Sequence, residues 1–197
     1  MTTLNDSLVS DLAARATGSV VAPGDADYDE ARAIYNGLID RRPALIVRAE
    51  TTDDVVAALA FASNSELEVS VRGGGHNVAG RSVADGGLMI SLADMRKVTV
   101  DLERSTATAQ GGATWADLNT AAGEHGLAVT GGLISATGIA GYTLGGGLGW
   151  LMAGKLKGVM PAHTPSAWSR EAPPECSSGR TSGLHRSHRR PGARVAS

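Results

Sequence analysis

A histidine directly follows three glycines in the run Val69-Ser70-Val71-Arg72-Gly73-Gly74-Gly75-His76-Asn77-Val78-Ala79-Gly80. An apolar, β-type stretch leads into the glycines, so they come where a strand ends. Glycines take backbone conformations closed to other residues and let a ligand approach without meeting a Cβ. Consecutive free N–H groups in such a loop form a concave nest for an anion such as a pyrophosphate. His76 stands at the end of the loop, where its imidazole reaches the same ligand. About seventy residues on lies a second cluster, Gly145-Gly146-Gly147-Leu148-Gly149-Trp150. Two glycine loops, one carrying a histidine, point to a site for a large phosphate-bearing cofactor.

The second cluster closes a longer glycine-rich region. Seven glycines fall within the eighteen residues from Thr130 to Gly147, interleaved with Ser135 and Thr137. Tight turns between packed elements would account for one or two of them. Small hydroxyl residues and exposed N–H groups suit phosphate and ribityl oxygens. Neither loop fits the better-known phosphate motifs. A P-loop needs Gly-Lys-Ser/Thr after its last glycine, and a dinucleotide fingerprint needs Gly-x-Gly-x-x-Gly opening a helix. Here Gly75 and Gly80 are separated by four residues, and Ser82-Val83-Ala84-Asp85-Gly86 does not read as a helix.

A lone loop histidine is usually a solvated one, but the strand and three glycines ahead of His76 favour a functional reading. No cysteine, histidine or carboxylate stands at ligand spacing from it, so a metal role is not expected. His125, in Gly123-Glu124-His125-Gly126, reads as a capping or solvated residue at a helix end. His163, His185 and His188 fall in a C-terminal segment and read as inert.

The elements that must position these loops alternate. Helices are expected over 4–15, 27–38, 53–64 (capped by Thr52), 115–124 (capped by Thr114) and within 138–144. Strands are expected over 44–48, 68–72, 87–92 and 127–130, with a hairpin of 97–101 and 106–110. The class is therefore mixed α and β.

Charge and composition change near residue 160. Residues 1–160 carry a net charge of −6, and residues 161–197 carry +4 with five of the seven prolines. The last segment has no apolar period and cannot offset its ordering entropy, so it is expected to be disordered. The overall charge of −2 gives no reason to expect nucleic acid or an anionic membrane as a partner. A single cysteine, Cys176, excludes an internal disulfide and fits a reducing cytoplasm. No signal peptide or membrane span is expected.

The motif series Arg72-Gly-Gly-Gly-His76-Asn77-x-x-Gly80, Gly131-Gly132, then Thr137-Gly138-x-x-Gly141-x-x-Leu144-Gly145-Gly146-Gly147-x-Gly149-Trp150-Leu151 resembles the FAD-binding domain of the vanillyl-alcohol-oxidase, or PCMH, type. Within it the series is most similar to the berberine-bridge-enzyme-like and 6-hydroxy-D-nicotine-oxidase-like FAD-linked oxidases. Pro43–Thr52 resembles the strand–helix opening of that domain, and the resemblance covers roughly 27–152. It implies an α+β fold with mixed subdomains, incomplete here. The implied organisation is a helical lead over 1–26, a truncated FAD-binding domain over 27–155 and a disordered tail over 156–197.

The resemblance implies FAD as cofactor. Its implied contacts are Arg72, Gly73, Gly74, Gly75, His76, Asn77, Gly80, Ser82, Gly132, Ser135, Thr137, Gly138, Gly141, Gly145, Gly146 and Gly147. The first loop would wrap the pyrophosphate, and the second region would follow the flavin and its ribityl arm. His76 matches the histidine that in many members bonds to the flavin 8α carbon. Bicovalent members carry a cysteine four residues before the glycine matching Gly138; Ile134 stands there, which leaves single attachment. The parent reaction would oxidise a C–H beside O or N in a small-molecule substrate, with O2 reoxidising the flavin.

Family members continue past Gly-Trp-Leu with a Lys-Tyr-Gly-Leu segment, complete the domain and add a substrate domain. From Gly158 onward this sequence looks like translation in a shifted frame, so the chain is expected to be an N-terminal fragment. No residue can be nominated as catalytic acid or base, and whether the chain alone is an enzyme stays open. The rival readings are a truncated product without independent function and a flavin-binding subunit that pairs with a separate substrate-domain chain.

Overall fold

The computed structural model describes residues 4–149. The expected disordered tail, and with it Cys176, His163, His185 and His188, lies outside the described residues. The elements are α1 (Asp6–Arg15), β1 (Ser19–Val21), α2 (Tyr28–Arg32), β2 (Leu45–Arg48), α3 (Thr52–Asn64), β3 (Val69–Arg72), β4 (Leu88–Ser91), β5 (Val98–Asp101), β6 (Thr106–Ala109), α4 (Trp115–Gly123) and α5 (Ile139–Leu144).

Four strands form one sheet in the order β1-β2-β4-β3. β2 and β3 both run parallel to β4, with Leu45 and Val69 each opposite Leu88, and β1 pairs antiparallel with β2. The two inner strands read Leu-Ile-Val-Arg and Leu-Met-Ile-Ser, the near-continuous apolar runs of strands covered on both faces. Strand alternation sends their side chains to opposite sides. Leu45, Val47, Leu88 and Ile90 pack with Leu12 of α1 and Ala58, Phe61 and Ala62 of α3. Ile46 and Met89 pack on the other face with Tyr28 and Ala31 of α2. A second layer holds the β5–β6 hairpin and the helices α4 and α5. Its core is Ala107, Ala113, Trp115, Leu118, Ala122, Val129 and Ile139.

Four local expectations change. β1 is an unforeseen strand of three residues, too short to show a period. α2 stops at Arg32 rather than 38, because the next residues leave to bond the glycine loop. Thr51, not Thr52, caps α3, because Asp54 stands three residues on and completes a capping box with it. Residues 127–130 form no strand among the described residues, where Ala128 alone carries an isolated bridge; the Leu127 N–H closes on the Ala122 carbonyl at 3.0 Å, and Val129 packs in the core.

Asp54 does more than cap α3. It is buried, and its carboxylate accepts the backbone N–H groups of Thr17 (2.7 Å), Glu50 (2.9 Å) and Thr51 (2.9 Å), so it ties the α1–β1 connection to the start of α3. Burial pushes its pKa up, but these donors outweigh burial and hold it below the ordinary carboxylate value. Removing the carboxylate strands buried N–H groups at about 1–3 kcal/mol each. Asp54→Ala is therefore expected to lower the urea unfolding free energy by about 3 kcal/mol or more, and Asp54→Asn by less. The wild-type contribution is present above the unfolded carboxyl pKa of about 3.9 and is lost as pH falls through the lower folded value. An unchanged urea midpoint for Asp54→Ala would show that this carboxylate is not the tie described.

Candidate functional site

β3 ends at Arg72, and the chain turns into Gly73-Gly74-Gly75-His76. Gly75 has φ +69°, which a side chain would strain, and its carbonyl accepts the Tyr35 N–H at 3.1 Å. From Gly75 to Val78 no backbone N–H finds an acceptor among the described residues. Asn77 ends the loop: its Oδ1 accepts from the N–H groups of Ala79 and Arg81, both at 3.1 Å. The Asn36 side-chain amide braces the Val78 carbonyl at 2.9 Å.

The second glycine segment is hung on the start of α4. The Trp115 N–H donates to the Thr137 carbonyl (3.1 Å), the Ala116 N–H to the Ser135 carbonyl (2.9 Å) and the Ile139 N–H to the Ala113 carbonyl (2.9 Å). The first two bonds satisfy donors that a helix start leaves open. α4 is set in turn by Asp117, which accepts the Thr114 N–H at 2.8 Å and pairs with Arg96 at 2.7 Å. Burial raises the Asp117 pKa, but Arg96 and Thr114 together hold it below the ordinary value.

The two segments meet backbone to backbone. A Cβ on Gly74 would lie 2.3 Å from the Gly138 nitrogen, and a Cβ on Gly138 would lie 2.5 Å from the Gly74 nitrogen. Between them opens a cavity of about 370 Å³. Of the expected residues, Gly73, Gly74, Gly75, His76, Asn77, Ser82, Thr137, Gly138 and Gly141 line it. Arg72 lies behind the loop and donates from Nη1 to the Ala31 carbonyl at 3.4 Å. Gly80 faces Ile39, Gly132 faces Trp115, and Gly147 faces Tyr142. Gly145 caps α5, Gly146 follows with φ +73°, and Ser135 is exposed beside α4. Sequence reasoning missed Val71, Val78 and Tyr142 in the lining. It also missed Tyr35, which stacks on the His76 ring at 4.6 Å between centroids.

Two buried polar atoms at the site lack hydrogen-bond partners among the described residues: Ser82 Oγ in the wall and Arg72 Nε behind it. Native structures seldom leave such atoms unmatched unless a ligand or water completes them. Burial lowers the Arg72 pKa from its ordinary value, with Arg48 adding to the effect. A groove walled by exposed backbone suits a cofactor whose phosphates need donors and whose ring needs clearance. Fold and site together define a nucleotide-cofactor-binding domain.

The family described as an FAD binding domain matches residues 43–159, somewhat past the point near Met152 where the motif resemblance ends. The FAD-linked oxidoreductase hasG of Aspergillus fumigatus is 41% identical over 144 residues, 73% of this chain and 31% of its own length. The crystal structure of 6-hydroxy-D-nicotine oxidase from Arthrobacter nicotinovorans aligns with a TM-score of 0.68 and 36% identity, over 69% of this chain and 30% of that one. Glucooligosaccharide oxidase from Acremonium strictum, which carries a 6-S-cysteinyl, 8α-N1-histidyl FAD, aligns with a TM-score of 0.67 and 29% identity, over 73% of this chain and 30% of that one. The chain belongs to this family: it carries the PCMH-type FAD-binding domain of FAD-linked oxidoreductases, and its cofactor is FAD. It spans less than a third of the length of these relatives. Among the described residues no helix is long and apolar enough to cross a membrane.

The Gly74–Gly138 contact admits no side chain on either partner. Gly74→Ala and Gly138→Ala are each expected to cost about 1–3 kcal/mol or more in urea unfolding, as forced overpacking does. Each is also expected to open the groove and abolish FAD uptake. Gly141→Ala, at a position where a Cβ meets nothing within 4 Å, serves as the stability control. Wild-type stability in both contact variants would refute the close approach.

Proposed function

We propose that this chain supplies the FAD-holding part of an oxidase that removes hydride from a C–H beside O or N of a small molecule and passes the electrons to O2. Bound FAD would supply the hydride-accepting chemistry, and the protein supplies position and electrostatics. The observation that carries the reading is the His76 loop: consecutive open N–H groups beside a histidine, closed over by the Gly138 segment.

In this reading the N–H groups of Gly75, His76 and Asn77 hold the pyrophosphate, and Ser82 Oγ donates to the cofactor from the groove's lining. Thr137, Gly138 and Gly141 bound the ribityl side, and the absence of side chains at the glycines keeps the ring's approach clear. Gly80, Gly132, Ser135 and Gly145–Gly147 shape the two segments, and Arg72 stands behind the first as a half-buried cation. His76 is the single covalent anchor, because Ile134 occupies the position of a second one. The domain extent of 27–155, a separate substrate region in the parent protein and a cytoplasmic setting belong to the same proposal.

The 197-residue chain, incubated with FAD and freed of excess, is expected to show flavin absorbance, and its acid precipitate to stay yellow. His76→Ala is expected to bind FAD but release it all on acid precipitation. A chain that takes up no FAD would overturn the proposal. Flavin that stays attached to the His76→Ala protein would move the anchor elsewhere.

A further inference from the structure

Ser82 lines the groove from the turn Gly80–Val83. It is 7% exposed, and its hydroxyl has no partner among the described residues. On a loose turn such a hydroxyl would swing to water, so the hold on the turn decides what Ser82 can do. The Val83 N–H closes the turn on the Gly80 carbonyl at 3.2 Å. One side chain then takes the carbonyls on both sides of Ser82. Arg41 Nη1 donates to the Gly80 carbonyl at 2.8 Å and to the Val83 carbonyl at 3.1 Å. The two hydrogens of that nitrogen diverge in the fixed guanidinium plane, so together they set the spacing of residues 80 and 83. Hydrogen bonds from a charged donor are roughly twice as strong as neutral ones. Arg41 itself is well seated. Its own carbonyl accepts from Arg32 Nη1 at 3.2 Å, and Ile39, two residues earlier, packs so closely under Gly80 that a Cβ there would lie 2.7 Å from it. Among the described residues Arg41 makes no ion pair, so no carboxylate draws the guanidinium off the turn.

We propose that Arg41 is a positioning residue for the cofactor: it clamps the Gly80–Val83 turn so that the Ser82 hydroxyl faces the bound group. This rests on the FAD reading above. The guanidinium meets only the carbonyl edge of the turn and acts on the cofactor through Ser82. Its contribution is one of geometry, so dissolved salt, which screens charge, leaves it unchanged. Lysine replaces it poorly, because an ammonium is strongly hydrated and sits on a flexible stem. Val83, 2% exposed, stays packed with Ile46 and Met89 when Arg41 is removed, so the turn loosens at one end while the sheet stands.

The test is a double-variant cycle in the His76→Ala chain, where FAD binding is reversible and can be titrated. Arg41→Ala should weaken FAD about tenfold, the scale of one hydrogen bond to a charged group, with native far-UV circular dichroism. Ser82→Ala should weaken it by a similar factor, and the two together by no more than either alone. The Arg41→Ala loss should be equal at low and high salt. Should Arg41→Ala fail to fold, Arg41→Lys takes its place in the same cycle, with a smaller loss that vanishes when Ser82 is also replaced. Losses that multiply in the double variant, a loss that fades with salt, or undiminished affinity in either single variant would each overturn this proposal and leave FAD binding standing. A wild-type chain that takes up no FAD would overturn the FAD reading itself, and this inference with it.

Discussion

The site depends on one backbone-to-backbone contact. Gly74 leaves the parallel sheet, Gly138 leaves the hairpin layer, and the two touch where no Cβ fits. Everything else at the groove is arranged so that this approach can happen. α3, pinned at its start by Asp54, sets β3 in the sheet, and β3 delivers the glycine loop from its carboxyl end. Ligands of open α/β sheets gather at that end. α4 holds the other segment by donating its first free N–H groups to that segment's carbonyls, and the Arg96–Asp117 pair fixes α4 itself. Each layer therefore brings one wall, and each wall is secured by its own hydrogen bonds.

The loop is shaped before any ligand arrives. Asn77 folds it back through two side-chain hydrogen bonds, and the segment after α2 braces it at Gly75 and Val78. Groups held in place this way are not ordered at the moment of binding, which removes part of the cost that flexible loops incur. The early end of α2 belongs to this arrangement. A longer helix would take Tyr35 and Asn36 away from Gly75 and Val78.

Much of the fold was legible because it is written in short-range patterns. The apolar runs of β2 and β4, the 3.6-residue spacing of α3 and the turn inside the β5–β6 hairpin each declare themselves within a few residues. The glycine loop was legible for the same reason, since three glycines before a histidine are local information. What was not legible depends on partners distant in the chain. Tyr35 meets His76 across forty-one positions, and nothing near Tyr35 announces it. Likewise α2 ends for a tertiary reason. Thr51 rather than Thr52 caps α3 for a reason that was readable, the acid three residues later. At the second segment, spacing alone could not separate glycines that line the groove, such as Gly138 and Gly141, from those that face Trp115 and Tyr142.

Arg72 carries a different consequence. It makes no salt bridge among the described residues, and its Nε is buried behind the loop without a partner. Dissolved ions screen exposed charges over about 8–10 Å at physiological strength but screen buried ones far less. The field of this guanidinium reaches the groove through protein instead of through electrolyte. Attraction for a negatively charged group in the groove thus persists as the medium becomes brinier, whereas a rim of surface lysines would lose most of its pull. Part of the groove's attraction for an anion is thus carried by a cation only partly open to solvent.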